Sequence, residues 1–360
     1  MRSVNNQDNS IIPLYRLIQG RGSSFNPANR FDKTAYHACL DENNPQEQTD
    51  IKPSIPTKTY PDKNKTLINF IKGNPYFFDR SINPYRGCEH GCIYCYARPS
   101  HCYLGLSAGL DFESKIFYKT NVQQQLEKEL CKPSYRCKPI VLGSNTDPYQ
   151  PLEAKLKITQ TILETLLRFK HPVRILTRSG LIMRDLELLK KMAKLQLVSV
   201  GVSITTTDEK MARLMEPRAM TIKNRLSTLA ELTKHLVPTV LMIAPIIPLI
   251  NDHEIEHILE AGHAASVQYA FYSWLRLEHE LPTLFSTWAH STMGHKAPYL
   301  IKSVHQLINN DPAIDWRKKL LAQRFANACK KLGIKEPLID LDCSKFNQVQ
   351  SPQLLLSIKT

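Results

Sequence analysis

Between residues 83 and 276 short apolar runs alternate with amphipathic stretches, and that rhythm restricts what this chain can fold into more than any other feature. Leu197-Val198-Ser199-Val200-Gly201-Val202-Ser203-Ile204 is β-branched and of strand length, while Leu181, Met183, Leu186, Leu188, Leu189 and Met192 recur at helical spacing. Strands are expected near 82–86, 139–144, 173–177, 197–204, 238–243 and 268–275. Helices fit 121–130, 155–169, 182–194, 208–214 with 221–235, and 252–264. Such alternation builds an α/β fold, a parallel sheet with helices outside, curled into a barrel or part of one. Chemistry in these folds gathers at the carboxyl ends of the strands.

The flanks lack this rhythm. Residues 1–75 are rich in Asn, Gln, Asp, Lys and Pro and read as an irregular N-terminal extension. Within them Gly20-Arg21-Gly22-Ser23-Ser24-Phe25-Asn26-Pro27 is either a turn-rich linker or a flexible loop offering donors to an anion. The core is placed at 76–285 and a helical C-terminal extension at 286–360, with helices from Ala297 to Asn309 and from Trp316 to Leu332. Lys318, Lys319, Arg324, Lys330 and Lys331 give the second of these a basic, solvated face.

Across 360 residues, 47 Lys and Arg against 33 Asp and Glu give a net charge of +14, which favours an anionic partner, nucleic acid above all. The longest apolar run, Val237 to Ile250, is broken by three prolines and falls short of the roughly 20 residues that span a bilayer, so no membrane partner is expected. The first residues have no secretory pattern, and the expected location is cytoplasmic. Nine cysteines, three of them within eight positions, suit metal or redox chemistry in a reducing compartment better than a disulfide framework.

Those three lie in Asn83-Pro84-Tyr85-Arg86-Gly87-Cys88-Glu89-His90-Gly91-Cys92-Ile93-Tyr94-Cys95-Tyr96-Ala97-Arg98, on a loop after an expected strand. Cys88, Cys92 and Cys95 can converge on one face of a metal site, and soft thiolates favour iron–sulfur clusters, zinc or copper(I). Three ligands to a four-iron cluster leave one iron open for a substrate or cofactor. Zinc would need a fourth ligand such as His90 or His101.

The spacing of Cys88, Cys92 and Cys95, with the aromatic Tyr94 before the last cysteine, resembles the signature of the radical S-adenosylmethionine superfamily. The resemblance implies a partial (β/α)6 TIM-like barrel, a [4Fe-4S] cluster on the three cysteines and S-adenosylmethionine on the open iron. It further implies a 5′-deoxyadenosyl radical that abstracts a hydrogen atom, an electron donor such as flavodoxin or ferredoxin, and Tyr94 beside the adenine. Gly143-Ser144-Asn145-Thr146-Asp147-Pro148, Leu176-Thr177-Arg178-Ser179, Glu216-Pro217-Arg218 and Ala244-Pro245-Ile246 narrow the resemblance to bacterial relatives of spore photoproduct lyase. These are the DNA-repair-photolyase-like radical proteins.

On that resemblance Ser144, Thr146, Arg178 and Ser203 fall at successive strand ends as cofactor-binding residues, with Arg178 facing the carboxylate of S-adenosylmethionine. Ser144 stands where the lyases carry a hydrogen-donating cysteine, and a hydroxyl is a far poorer hydrogen-atom donor. Tyr96 is the candidate catalytic residue. The substrate is left open, with nucleic acid favoured by charge. The alternative is a non-catalytic, zinc- or cluster-stabilised nucleic-acid-binding protein.

Overall fold

The β-branched runs become neighbours in one sheet. The computed structural model describes residues 18–32, 54–63, 65–71, 78–336 and 339–348. Its strands are β1 (Lys58–Asp62), β2 (Ile68–Phe70), β3 (Arg80–Ile82), β4 (Tyr85–Arg86), β5 (Lys115–Lys119), β6 (Ile140–Leu142), β7 (Val173–Thr177), β8 (Val198–Ser203), β9 (Thr239–Ile246) and β10 (Tyr269–Trp274). The helices are α1 (Leu110–Ser114), α2 (Val122–Leu130), α3 (Glu153–Leu156), α4 (Ile158–Arg168), α5 (Leu186–Lys194), α6 (Glu209–Met215), α7 (Ile222–Lys234), α8 (Ile255–Ala264), α9 (Leu281–Met293), α10 (Ala297–Ile308) and α11 (Asp315–Leu332).

The main sheet runs β10-β9-β8-β7-β6-β3-β2. Six of its strands, β3 and β6 to β10, pair in parallel, and β2 adds an antiparallel edge to β3. With helices between successive strands this is the mixed α/β, partial TIM-like barrel that the alternation predicts. All six residues of β8 are buried, as a strand covered on both faces requires. Ile162, Leu163 and Leu166 of α4 and Leu189 and Met192 of α5 join Ile175 and Val200 in one core. Each such side chain contributes roughly 1.5–3 kcal/mol by leaving water. The intervening helices start where short polar side chains cap them: Asp208 accepts the Lys210 and Met211 amides before α6, and Thr221 that of Asn224 before α7.

Two strands interrupt the stretch expected to be irregular. β2 extends the main sheet, and β1 pairs in parallel with β5, which also takes β4, in a small sheet ordered β1-β5-β4. Lys-Thr-Tyr-Pro-Asp is exposed along most of its length, so hydrophobic periodicity could not find it; the partner's backbone stabilises it. The C-terminal part is helical, as expected. Phe285 and Trp288 of α9 and Leu300 and Val304 of α10 form a second core with Ile93 and Tyr94 of the cysteine loop. The basic face of α11 is partly used in docking: Arg324 pairs with Glu256 and donates to the carbonyls of Asp252 at 2.9 Å and His253 at 3.0 Å. No helix among the described residues is long and apolar enough to cross a membrane.

Candidate metal centre

The cysteine loop leaves β4 and is pinned from both sides by backbone. The Cys88 amide donates to the Phe112 carbonyl at 3.0 Å and the Ile93 amide to that of Met215 at 3.0 Å. Within the loop, Cys95 donates to Cys92 at 3.2 Å and Arg98 to Cys95 at 3.2 Å. The Arg98 guanidinium then gathers carbonyls, with Nε on Cys92 at 2.9 Å, Nη2 on Gly91 at 3.1 Å and Nη1 on Ala108 at 3.2 Å and Gly109 at 3.1 Å. Its remaining partner is the Glu113 carboxylate.

Glu113 also accepts the amides of Gly22 and Ser23, both at 2.9 Å. The segment around Gly22 is therefore packed, neither a linker nor an open anion loop. Arg21 is 5% exposed and donates to the carbonyls of Glu113 at 2.6 Å and Ile55 at 2.5 Å. A Cβ on Gly22 would stand 1.8 Å from the Gly91 carbonyl oxygen, so only glycine lets the two backbones approach this closely.

Cys88 and Cys92 are buried and Cys95 half-buried. Burial pushes the Cys92 thiol up to about 12 against the pull of the Arg178 cation, whose Nη1 lies 2.7 Å from Cys92 Sγ. Burial likewise holds Cys88 well above its usual range, with Asp147 and then the other two thiols adding to the shift. The three sulfurs thus sense one another electrostatically. No three Cys, His, Asp or Glu side chains among the described residues are arranged around a single metal ion. A four-iron cluster takes one thiolate per iron, so its three ligands need not meet at one ion, and coordination supplies the charge that burial opposes. His101 Nε2 is engaged with the Lys115 carbonyl at 2.9 Å. His90 is 2% exposed with both ring nitrogens unpartnered, and Nε2 lies 3.9 Å from Asp147 Oδ2.

The ends of β6, β7 and β8 meet beside this loop. The Asp147 carboxylate, after β6, accepts the Thr177 hydroxyl at 2.7 Å and the Arg178 amide at 2.9 Å, which ties the end of β6 to that of β7. Thr146 donates its hydroxyl proton to the Gly87 carbonyl at 2.6 Å, and Gln150 takes the Glu89 amide at 2.9 Å. Arg178 Nε is buried with no partner, and the guanidinium stands 5.9 Å from the centre of the Tyr94 ring. The Tyr94 hydroxyl meets Thr205 at 3.1 Å and donates to Glu216. Burial works to raise the Glu216 carboxyl, but Arg225 and Arg178 outweigh it and hold it at about 2. Ser203, at the end of β8, gives its carbonyl to Arg225 Nη1 at 3.0 Å.

Ser144 stands apart from this group. Its hydroxyl accepts from Asn83 Nδ2 at 3.2 Å, and its carbonyl accepts the Tyr96 hydroxyl, leaving the Tyr96 residue 60% exposed. The sequence reading put no role on Glu216, Asp147 or Arg225, although the first two sit inside the strings Glu216-Pro217-Arg218 and Thr146-Asp147-Pro148. Arg98 and Glu113 gave no local signal at all.

Residues 82–262 match the Radical SAM superfamily. An uncharacterized protein of Mycobacterium bovis is 32% identical over 252 residues, which are 69% of this chain and 73% of that one. A radical SAM Nα-GlyT isomerase of Pseudomonas phage M6 is 25% identical over 213 residues, 56% of this chain and 42% of the phage protein. Among solved structures, a point mutant of spore photoproduct lyase superposes with a TM-score of 0.51 at 13% identity, covering 77% of this chain and 80% of the lyase. In a second lyase structure the chain covers 66% of the lyase. A match across half of the chain that contains the whole cysteine loop places it: the chain belongs to the radical S-adenosylmethionine superfamily, whose members bind a [4Fe-4S] cluster and S-adenosylmethionine.

Proposed function

We propose that Cys88, Cys92 and Cys95 each hold one iron of the cluster, and that the chain abstracts a hydrogen atom from a substrate bound beside Ser144 and Tyr96. The observation that carries this is the contact of the Arg178 guanidinium, whose Nε is buried and unpartnered, with Cys92 Sγ inside the cysteine loop. When bound, the cluster and S-adenosylmethionine supply a 5′-deoxyadenosyl radical.

The chain's own residues supply position and exclusion of water. The orphaned Arg178 Nε suits a carboxylate acceptor such as that of S-adenosylmethionine, and the second-strand contact through Asp147 fixes the arginine's backbone. Tyr94, held by Thr205 and Glu216, offers a buried ring face to the adenine. Thr146 and Ser203 orient the loop and the β8 end around that space. Tyr96, exposed and anchored on Ser144, faces substrate and is the candidate for a redox role in the reaction. The resemblance to spore photoproduct lyase implies a serine, Ser144, where the lyase uses a thiol, which supports a reaction that differs from lyase-type reversal in its hydrogen return. Nucleic acid is the proposed substrate class, in keeping with the charge of +14. A cytoplasmic flavodoxin or ferredoxin is the proposed reductant, and a reducing compartment agrees with the eight free cysteines among the described residues.

The test is anaerobic reconstitution of the full chain with iron and sulfide, followed by dithionite and S-adenosylmethionine. A brown protein with four irons per chain that releases 5′-deoxyadenosine is expected. A colourless protein with one equivalent of zinc would overturn this in favour of a metal-stabilised nucleic-acid-binding module.

A further inference from the structure

A cavity of about 480 Å3 opens beside Ser144, between the edge of the main sheet and the small sheet. Its wall carries three cations, Lys65, Arg86 and Lys119, together with hydroxyl and amide groups including Ser81, Ser100 and Asn145, and no carboxylate lines it. Behind the lining, Asp62 accepts Arg86 Nε at 2.7 Å and Lys119 Nζ at 2.8 Å, and Glu153, paired with Arg184, accepts the hydroxyl of the lining Tyr85. Among the described residues the carboxylates thus lie behind the wall and the three cations on it. Lys119 is only 8% exposed, and burial lowers its pKa although Asp62 works to raise it, so a further anion would relieve that cost. Lys65 is exposed at the mouth.

The shape argues for more than a bare ion. About 480 Å3 lies within the range of roughly 300–1,000 Å3 typical of small-molecule sites and leaves room for a sugar and a base beyond one phosphate. Tyr96 is outside the lining, but its hydroxyl is fixed to the carbonyl of Ser144, a lining residue, which keeps this exposed side chain near the cavity. An aromatic face beside a cationic pocket is the pairing that takes a base and its phosphate together.

We infer that this cavity binds a phosphate of a nucleotide unit, with Lys65, Arg86 and Lys119 as its counter-charges and Tyr96 as the platform for the base. The inference rests on the reading above that substrate lies beside Ser144, and it adds which chemistry recognises that substrate. A phosphate carries one negative charge as a diester and up to about two as a monoester, with several acceptor oxygens, which suits a wall of cations and donors. The phosphate comes either from a nucleic-acid strand or from a free nucleotide.

The experiment measures binding of three probes to the full-length protein at low and moderate salt: inorganic phosphate, a nucleoside 5′-monophosphate and a fluorescent single-stranded oligodeoxynucleotide. Lys65→Glu, at an exposed position that leaves folding intact, is expected to weaken the bound nucleotide probe about tenfold or more, and Lys119→Gln likewise. On the oligonucleotide, Lys65→Glu should also flatten the salt slope by about 0.7. Lys302→Glu on α10, far from the cavity, serves as the charge control and should leave binding unchanged. Binding of the oligonucleotide alone assigns the phosphate to a polymer, and binding of the monophosphate as well assigns it to single nucleotide units. Failure of all three probes to bind, or equal affinity in wild type, Lys65→Glu and Lys119→Gln, overturns the assignment. Iron content and 5′-deoxyadenosine release from wild type test the enzyme reading separately. A colourless protein that still loses oligonucleotide binding through Lys65→Glu keeps the anion site and overturns the radical chemistry alone.

Discussion

Arg98 and Glu113 form an ion pair 2.5 Å apart with both side chains fully removed from water. Neither group faces the cluster space, yet the pair joins the carbonyls of Gly91 and Cys92 to the amides of Gly22 and Ser23. Breaking such a pair by removing one charge strands the other in the interior and costs about 3–5 kcal/mol. Glu113→Gln is therefore expected to lose stability of that order in urea unfolding, and to bind iron less tightly at equal folded fraction. Full stability in the variant would place the holding of the loop elsewhere.

Replacing Cys88, Cys92 or Cys95 with Ala should each abolish cluster retention, measured as iron and sulfide per chain. Cys102, at 2% exposure, lies in the second core with its thiol toward Glu280, and its carbonyl accepts the Asn29 amide. Cys102→Ala should keep the iron and lose on the order of 1 kcal/mol of stability from the vacated volume. Loss of iron in that variant would mean a fourth protein ligand.

Arg178→Met should weaken S-adenosylmethionine binding to the reconstituted protein by about 1.5–3 kcal/mol if the orphaned Nε meets the carboxylate. Calorimetric titration reads this directly. Unchanged affinity would assign Arg178 to Cys92 and the cluster alone.

Stability should fall with acid in two stages. His171 is fully buried, accepting from the Tyr135 hydroxyl on Nε2 at 2.8 Å with Nδ1 on the Pro172 carbonyl at 2.9 Å, and burial lowers its pKa to about 4. Its folded pKa lies below the unfolded value of 6.5, so the unfolded chain takes up the proton first and stability declines as pH drops from 6.5 toward 4. Glu216, held at about 2, adds a later loss that begins below its ordinary 4.5. Urea midpoints at pH 7, 5.5 and 4.5 should decline in wild type, and His171→Gln should make the first stage shallower without abolishing it, since burial lowers His90 and His101 to about 4 as well. Parallel curves would remove His171 as one of its sources.

Much of the barrel was legible because its strands are buried on both faces. β8 falls within the apolar run from Leu197 to Ile204, and α5, expected over 182–194, begins four residues later at Leu186 and ends at Lys194. β1 and β5 were not legible, since each is stabilised by pairing with a strand some 57 residues away rather than by an apolar pattern of its own. The three thiols stood out by their short spacing, and Arg178 entered through the resemblance, at the end of an expected strand. Glu216 was not, because its meaning comes from Tyr94 and Arg225, which reach it only after folding.

The bonds from Gly22 and Ser23 to Glu113 close loops spanning 91 and 90 residues. The segment leaves the ribosome early, but its seat is made of Gly91, Arg98 and Glu113, which are synthesised later. Closing so long a loop brings no return until that seat exists, which puts this contact late in folding. The Gly91 backbone of the cysteine loop therefore lacks its Gly22 wall in any state in which those two bonds are not made.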